Sequence, residues 1–270
     1  MVHSPHVSRP ATYGTPKPAV PSGRRSLLSR PVLAAVVLFG VGLFVLGLAP
    51  DGPGPARISS GPSAALYRAL ADHGPGSPGL AGTLVDLATE AVMLTLVALL
   101  AIAWWTGRRR GPSAVAGAVL VGLGTTLAYA GSELAKLVAD EDRPCRAMQV
   151  GTLLPCPELG DLSFPSNHST IAGAIAVGLL LIRPRLALAA LPLAGTAALL
   201  RVLGGVHYPH DVVAGLTLGA GVTAAAVVLL QPATTRLVLA LTPVPLLGTL
   251  LSARPAEVPE PALGPARRRA

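Results

Sequence analysis

The sequence predicts an all-α integral membrane protein built as a bundle of six transmembrane helices. The chain is 51% hydrophobic and only 13% charged, with a mean hydropathy of +0.59, whereas soluble domains carry about 25% charged residues. Its apolar residues are gathered in six long runs, most of them near the ~20 residues that a helix needs to cross a bilayer. Basic residues cluster in the tails and in short links between these runs, which is typical of membrane topology signals.

The six predicted spans follow one another along most of the chain. They cover residues 32–49, 83–105, 113–134, 170–182, 186–200 and 212–230. The first run follows a basic segment that could also belong to a signal peptide. However, this run is longer than the usual signal-peptide core of ~7–15 residues, and no clear cleavage site follows it. We therefore expect a retained membrane anchor.

The later spans have their own boundary signals. The second span ends at Trp104 and Trp105, residues suited to a membrane interface, and the third leads into the polar segment 136–168. The fourth is short and can be extended through its polar start. The Arg-Pro-Arg sequence at 183–185 makes a tight link to the fifth span, and Pro209 suits the first turn of the sixth.

The flanking segments differ in composition from the predicted spans. Residues 1–30 are rich in Pro, Ser and Arg and are predicted to form a disordered basic tail. The membrane domain is predicted over residues 31–230, with a Gly/Pro-rich loop after the first span that includes a short interfacial helix at 64–73. Residues 231–270 are predicted to be an interfacial or disordered C-terminal tail, because two prolines interrupt their apolar part.

Six spans would put both termini on the same side of the membrane. The basic residues of both tails and of the links 108–110 and 183–185 then share that side, which the positive-inside rule assigns to the cytoplasm. The polar segments 136–168 and 201–211 would face outward from the plasma membrane. Because the net charge of +8 lies in links and tails, we do not expect nucleic acid as a partner. No sequence feature predicts an oligomeric state.

Polar side chains that could act on a phosphate group are concentrated in these two outward segments. Lys136 and Arg143 are seven residues apart, a spacing that would put both cations on one face of a helix ended by Pro144. Ser166 and His168 stand at the start of the fourth span. Three more polar residues precede or begin the sixth span: Arg201, His207 and Asp211.

This set of side chains suits phosphoryl transfer without a metal ion or other cofactor. Three cations can bind the phosphate oxygens and neutralise the charge that builds up in the transition state. One imidazole can attack phosphorus if a carboxylate fixes its tautomer, and the other can protonate the leaving group. If Pro209 starts the sixth helix, Asp211 lies in its first turn with His207 just outside, so a His207–Asp211 hydrogen bond is expected.

At these residues the sequence resembles the type 2 phosphatidic acid phosphatase (PAP2) superfamily, whose signature is K-x6-R-P, P-S-G-H and S-R-x5-H-x3-D. KLVADEDRP matches the first motif, PSNH the second and RVLGGVHYPHD the third. Asn167 stands where the family has Gly, and Leu200 where it has Ser. The resemblance covers about residues 80–230 and implies the helical core that this family shares with soluble haloperoxidases.

The resemblance also implies roles for the individual residues. His207 would be the nucleophile that forms a phosphohistidine, Asp211 would orient it, and His168 would be the general acid. Four further residues are implied to bind the substrate phosphate: Lys136, Arg143, Ser166 and Arg201.

The implied activity is that of an integral membrane lipid phosphatase, hydrolysing a phosphomonoester or diphosphate on a lipid. Candidate substrates are undecaprenyl diphosphate, phosphatidic acid and phosphatidylglycerol phosphate. The first is slightly favoured, because an outward-facing bacterial site suits the recycling of a lipid carrier. Two alternatives stay open: a lipid phosphotransferase that uses the same intermediate, and a transporter or scaffold that has kept the fold without the activity.

Several residues have both a structural and a functional interpretation. Cys145 and Cys156 could form a disulfide in an oxidising exterior or remain two free thiols. Ser166 or Asn167 could simply cap the fourth span. His210 lies outside the motif and is interpreted as structural.

Three acidic residues within the predicted spans would be costly in lipid: Asp86, Glu90 and Glu133. We expect them to face the bundle and to pair with a cation or a hydroxyl group, although they could also line the proton path of a transporter. Arg146 could add a contact to the phosphate or to the lipid headgroup.

Overall fold

Helices form most of the chain that the structure describes. The computed structural model describes residues 56–71 and 79–253. Within them the helices are α1 (Pro62–Ala71), α2 (Leu80–Gly107), α3 (Pro112–Ala139), α4 (Pro144–Ala147), α5 (Asn167–Ile182), α6 (Pro184–Leu203), α7 (Pro209–Leu241) and α8 (Pro245–Leu251). These residues contain no strand and one isolated bridge, between Ala56 and Glu141. The predicted all-α class is confirmed for this part of the chain.

Four of the described helices, α2, α3, α6 and α7, are long and apolar enough to cross a membrane. Helix α5 is apolar but has 16 residues, a length of about 24 Å at ~1.5 Å per residue. These five helices correspond to predicted spans two to six, and the chain is a multi-pass membrane protein. The total of six spans stays a prediction, because the first predicted span, 32–49, lies outside the described residues.

Helix α7 lies at the centre of the bundle and packs most extensively on α5 and α3. Helices α5 and α7 meet through glycines. A Cβ atom on Gly219 would overlap the carbonyl oxygen of Thr170, and one on Gly173 would overlap α7 in the same way. Small residues allow such close approach of helix backbones in lipid. The starts of α5 and α7 therefore lie side by side, where the Ser166 amide donates to the Asp211 carbonyl oxygen at 3.1 Å.

The two ends of the bundle differ in chemistry. At one end, the short links α2–α3 and α5–α6 bring basic residues such as Arg110 and Arg183 near each other. At the opposite end, which we call the polar end, the last turns of α3 and α6 meet the first turns of α5 and α7. Helix α1 packs across this end, with Tyr67 buried against Tyr208. It corresponds to the short helix predicted at 64–73.

The segment after α3 differs from the prediction. Helix α3 ends at Ala139, because Asp140 adopts a left-handed conformation with a φ of 43°. Pro144 begins the separate helix α4 instead of ending α3. The prediction that Lys136 and Arg143 share one face of a single helix is therefore wrong, although both side chains reach the same site by different routes.

Helix α7 also continues beyond the predicted end of its span at residue 230. It runs through Pro232 to Leu241, and Val238 packs against Val115 of α3. This packing helps to offset the backbone hydrogen bond that a proline removes from a helix. The predicted end of the span at residue 230 therefore lies inside α7, and residues 231–251 are largely helical in α7 and α8 rather than disordered. Residues 254–270 lie outside the described part of the chain.

Replacing Gly219 with Ala should destabilise the bundle, because the new methyl group would overlap the Thr170 carbonyl oxygen. Overpacking costs about 1–3 kcal/mol, so we expect the melting temperature of the purified protein in detergent to fall by several degrees. Gly122→Ala is the matched control in α3, since nothing lies within 4 Å of a methyl group there. An unchanged melting temperature for Gly219→Ala would contradict the close α5–α7 contact.

Candidate active site

A cavity of about 130 Å³ lies at the polar end of the bundle. We call it the site cavity. Side chains from α3, α5, α6 and the connecting segments form its wall, and five of the seven predicted catalytic and phosphate-binding residues are among them. The lining residues are Lys136, Arg143, Pro157, Asp161, Asn167, His168, Arg201 and His207.

His207 lies in the turn between α6 and α7, with its ring held at both nitrogens. Its Nε2 is 3.1 Å from Nη1 of Arg143, and its Nδ1 is 3.3 Å from Oδ2 of Asp211. A guanidinium group can only donate hydrogen bonds, so Nε2 must be the acceptor. The proton of the neutral ring therefore resides on Nδ1 and faces the Asp211 carboxylate. The lone pair of Nε2 accepts the hydrogen bond of Arg143, and it becomes free when Arg143 turns to another acceptor.

Burial keeps this imidazole neutral. His207 is 2% exposed, and desolvation lowers its pKa to about 3. The hydrogen bond that His207 donates to Asp211 raises the pKa, and the Arg143 charge lowers it further. A neutral ring with a fixed tautomer and an unprotonated Nε2 is the form of histidine that can act as a nucleophile once Arg143 binds a phosphate oxygen instead.

Asp211 lies behind His207 rather than in the cavity wall. Its side chain is fully buried, and Oδ2 accepts hydrogen bonds from the Ser163 hydroxyl at 2.6 Å and the Tyr208 amide at 2.8 Å. The contact with the Tyr208 amide belongs to a capping box at the start of α7. The carboxylate thus caps the helix and holds the His207 ring, which matches the predicted His207–Asp211 hydrogen bond.

Three cations converge on the site cavity. Arg143 is 4% exposed, and its Nη2 donates to Oδ1 of Asp161 at 2.8 Å. Lys136 Nζ lies 3.0 Å from Oε1 of Glu133 and 3.8 Å from Oδ1 of Asp161. This ion pair with Lys136 confirms the prediction that Glu133 pairs with a cation. The third cation is Arg201, whose buried Nε has no hydrogen-bond partner among the described residues.

Asp161 is a residue of the site that the sequence analysis missed. Its carboxylate contacts both Arg143 and Lys136 from the segment before α5. Burial alone would raise the pKa of Asp161, but the hydrogen bond and charge of Arg143, with the Lys136 charge, lower it overall. An ionised carboxylate thus occupies the position from which an anion would contact these two cations. No local sequence pattern indicates this role.

The first turn of α5 supplies His168 and Asn167 to the cavity wall. The Asn167 side chain joins α5 to α3, because Oδ1 accepts from the Ser132 hydroxyl at 2.7 Å and Nδ2 donates to Oε1 of Glu133 at 2.6 Å. The residue that departs from the family motif therefore has a structural role of its own in this chain.

The position of Ser166 does not match the phosphate-binding role predicted for it. Its side chain is fully buried and outside the cavity lining. Its hydroxyl accepts a hydrogen bond from the Ser169 hydroxyl at 3.3 Å, and its backbone amide donates one to the Asp211 carbonyl oxygen. Ser166 precedes α5 at the N-cap position but forms no side-chain cap hydrogen bond. The predicted cap is therefore not made by its hydroxyl.

His210 lies outside the cavity lining but contacts three other polar residues. Its Nε2 lies 3.1 Å from Oε2 of the fully buried Glu141 and 3.2 Å from Oδ1 of Asp211, and its Nδ1 lies 2.7 Å from the Ser63 hydroxyl. His210 thereby ties α1 and the segment after α3 to the back of Asp211. Glu141, His210 and Asp211 are close enough together to ligate a metal ion, yet the imidazole itself contacts both carboxylates.

The segment between α4 and α5 is closed by a disulfide between Cys145 and Cys156. Arg146 reinforces it by pairing with Asp142 and by donating to the Asp161 carbonyl oxygen at 3.0 Å. Arg146 does not line the site cavity, so its suggested phosphate contact is not seen. The disulfide and these bonds keep Asp161 beside the cations.

The remaining acidic residues of the predicted spans behave differently from Glu133. Asp86 and Glu90 are exposed on α2. Within residues 56–71 and 79–253 neither forms an ion pair. Neither forms a side-chain hydrogen bond there, so the prediction that they pair directly with a cation or a hydroxyl group is wrong for this part of the chain, although the charges of both act on Arg201. Asp86 lies close to Arg201 across a second cavity.

Known proteins match the part of the chain that forms this site. A family model described as the PAP2 superfamily matches residues 117–235. A decaprenylphosphoryl-5-phosphoribose phosphatase of Mycobacterium tuberculosis is 37% identical over 59% of this chain and 84% of that protein. Lipid A 1-phosphatases of Rhizobium johnstonii and Rhizobium etli are 47% and 36% identical over 22% and 35% of this chain. The chain spans 24% and 43% of the length of these two relatives.

A solved structure is also similar, at a greater distance. It is a transmembrane PAP2 type phosphatidylglycerolphosphate phosphatase from Bacillus subtilis, 18% identical with a TM-score of 0.43. The match covers 73% of this chain and 92% of that protein. This similarity is too low to carry residue roles or a substrate to the present chain.

Replacing Asp161 with Asn should strengthen the binding of inorganic phosphate, because the ionised carboxylate competes with an anion for Lys136 and Arg143. Partly exposed ion pairs contribute up to about 1 kcal/mol, so we expect binding to tighten about three- to five-fold in titration calorimetry of the purified protein. Glu158→Gln, in the same segment and outside the cavity lining, is the control. Weaker phosphate binding by Asp161→Asn would instead show that Asp161 serves to hold Arg143 in place.

Proposed function

Because the chain belongs to the PAP2 superfamily, we propose that it is a membrane-bound phosphatase that releases phosphate from a lipid phosphomonoester or diphosphate. The observation that carries this proposal is the site cavity, which combines three cations with the neutral, oriented imidazole of His207. Its relatives support the choice of a phosphatase, since the curated proteins it resembles are named lipid A 1-phosphatase and decaprenylphosphoryl-5-phosphoribose phosphatase.

In the first step of the proposed reaction, the phosphate group displaces Asp161 and binds to Lys136, Arg143 and Arg201. Nε2 of His207 attacks phosphorus, and the bond from phosphorus to the leaving oxygen breaks. His168, whose protonated form the bound phosphate anion stabilises, gives its proton to that oxygen, so the lipid leaves as an alcohol or as a lipid monophosphate. The ring of His207 now carries a positive charge, which the Asp211 carboxylate stabilises through Nδ1. The cations neutralise the charge on the phosphoryl oxygens during this step.

In the second step, water attacks the phosphohistidine. His168, now neutral, accepts a proton from the water as the new oxygen–phosphorus bond forms. The phosphorus–nitrogen bond breaks and its electron pair returns to Nε2 of His207, which regenerates the neutral ring. Inorganic phosphate leaves, and Asp161 can pair with the cations again. Every charge in this cycle is balanced by side chains of the protein, so the proposed reaction needs no metal ion.

The proposed orientation puts the polar end of the bundle outside the plasma membrane and both termini in the cytoplasm. It is supported by the separation of the polar end from the links that carry Arg110 and Arg183 at the other end of the bundle, since basic links favour the cytoplasmic side. The oxidising exterior would also suit the Cys145–Cys156 disulfide near the site.

Changing His207 to Ala should abolish phosphate release, because no other lining residue replaces a nucleophile fixed by Asp211. We expect a loss of at least about 1,000-fold, measured with lipid phosphates in detergent micelles containing EDTA. The wild-type protein should remain active in EDTA and should yield an alkali-stable, acid-labile phosphoenzyme after rapid quenching.

The melting temperature of His207→Ala controls for folding. Phosphate release by this variant at the wild-type rate would contradict the nucleophile. Loss of wild-type activity in EDTA would contradict the metal-free reaction, and transfer of the phosphate to an added alcohol in preference to water would identify a phosphotransferase.

The orientation can be measured with single cysteines added at opposite ends of the bundle. We expect Leu159→Cys, in the highly exposed segment beside the site, to react with a membrane-impermeant maleimide on intact bacterial cells. Ser113→Cys, at the start of α3, should react after the cells are permeabilised. The reverse pattern of labelling would put the site in the cytoplasm.

A further inference from the structure

A second cavity, of about 240 Å³, lies beside the site cavity and is the larger of the two. We call it the side cavity. Gly82, Thr83 and Asp86 from the first turns of α2 form one wall, and residues 153–155 form the opposite wall. Arg201 lines both cavities. A molecule whose phosphate binds in the site cavity can therefore continue past Arg201 into the side cavity.

The walls of the side cavity are held in place by direct backbone contacts. A Cβ atom on Gly82 would overlap the Leu153 carbonyl oxygen, so α2 touches this segment without any intervening side chain. The Leu154 amide donates to the Gly204 carbonyl oxygen at 3.0 Å. The following residue, Gly205, accepts a hydrogen bond from the Tyr67 hydroxyl at 2.9 Å. The cavity is thus formed by fixed elements, and a ligand does not have to order them.

Asp86 gives this cavity a chemistry opposite to that of the site cavity. The described residues offer it no ion pair within 4 Å, although Arg201 lines the same space. An ionised carboxylate accepts hydrogen bonds and cannot donate them, and it repels a phosphate group. The group that suits Asp86 must therefore carry donors and no negative charge. The Thr83 hydroxyl, which can both donate and accept, lies in the same wall.

Hydroxyl groups near a phosphoester satisfy these conditions. In a glycerol phosphate, and in those sugar phosphates whose neighbouring carbon carries neither the ring oxygen nor a substituted group, a free hydroxyl lies on a carbon next to the one that bears the phosphate. With the phosphate held by Arg201 on one side, such a hydroxyl is directed toward the neighbouring side cavity, where Asp86 can accept its hydrogen bond. A leaving alcohol without a free hydroxyl, such as diacylglycerol, offers Asp86 no donor.

We propose that the side cavity binds the leaving alcohol of the substrate and that Asp86 selects lipid phosphates with a free hydroxyl next to the phosphoester. This inference rests on the proposed phosphatase function and narrows its substrate class to lipid-linked glycerol phosphates and to those sugar phosphates that carry such a hydroxyl. It disfavours phosphatidic acid and undecaprenyl diphosphate, of which the second was slightly favoured on the sequence alone.

Two lipids that share the same diacylglycerol test this selection. Phosphatidylglycerol phosphate carries its terminal phosphate on a glycerol with a free hydroxyl, whereas phosphatidic acid carries it on diacylglycerol. We expect the wild-type protein to prefer the former. Asp86→Asn should lower kcat/KM for phosphatidylglycerol phosphate about ten-fold or more, as for loss of a charge-assisted hydrogen bond, and mainly through KM. Its kcat/KM for phosphatidic acid should change less than two-fold.

Glu90→Gln is the matched control, because it removes the same charge one helical turn further along α2 at a residue outside the side cavity. It should leave both substrates unaffected. An equal loss for both lipids in Asp86→Asn would overturn the inference and reduce Asp86 to a general electrostatic or structural residue. Unchanged kinetics for phosphatidylglycerol phosphate would overturn it as well. Failure of the wild-type protein to release phosphate from either lipid, or full activity of His207→Ala, would instead contradict the phosphatase function itself.

Discussion

The polar end of the bundle depends on the buried carboxylate of Asp211. One of its oxygens accepts from the Ser163 hydroxyl and the Tyr208 amide and faces His207, and the other faces His210. A buried carboxylate without such partners would cost several kcal/mol. The hydrogen bonds to Oδ2 therefore stabilise the start of α7 and fix the imidazole at the same time. The folding of this end and the orientation of His207 therefore both depend on the hydrogen bonds that the buried Asp211 carboxylate accepts.

A second requirement concerns the cations around the site cavity. Arg143 and Lys136 are almost completely buried, and their like charges would repel each other without compensation. Glu133 and Asp161 supply that compensation in the structure. If phosphate takes the position of Asp161, one anion replaces another, and the desolvated cations remain paired throughout the exchange. The site can thus hold a strong positive potential for its substrate without destabilising the helices that carry it.

Much of this architecture could be predicted because it follows from local patterns. A helix that crosses a membrane needs a long apolar run, so the positions of these runs in the sequence located α2, α3, α5, α6 and α7. The spacing of His207 and Asp211 around Pro209 encodes the start of a helix with an imidazole beside it, and their contact could be expected from the five residues 207–211. The motifs that carry the family resemblance are likewise short, contiguous stretches of the sequence.

The missed features depend on contacts between distant parts of the chain. Asp161 meets Arg143 across a loop whose path is set by a disulfide and by Arg146, and no pattern near Asp161 reveals this. The break after α3 was missed because a left-handed residue such as Asp140 is uncommon outside glycine. The end of α7 was missed because the predicted span covers only the apolar run 212–230, whereas packing against α3 continues the helix through Pro232 to Leu241.

The short length of α5 affects how a substrate reaches the site. At about 24 Å this helix cannot match a hydrocarbon core of ~30 Å, and α3, α6 and α7 enclose it on several sides. Its first turn, which bears His168, lies level with the first turn of α7. With the basic link at Arg183 in the headgroup region at one face, both first turns lie within the depth of the hydrocarbon core near the other face. A water-soluble phosphate ester would have to leave bulk solvent to reach that depth. A lipid already confined to the bilayer needs only to diffuse in the plane, so this position converts a three-dimensional search into a two-dimensional one and favours membrane-bound phosphates before any headgroup is recognised.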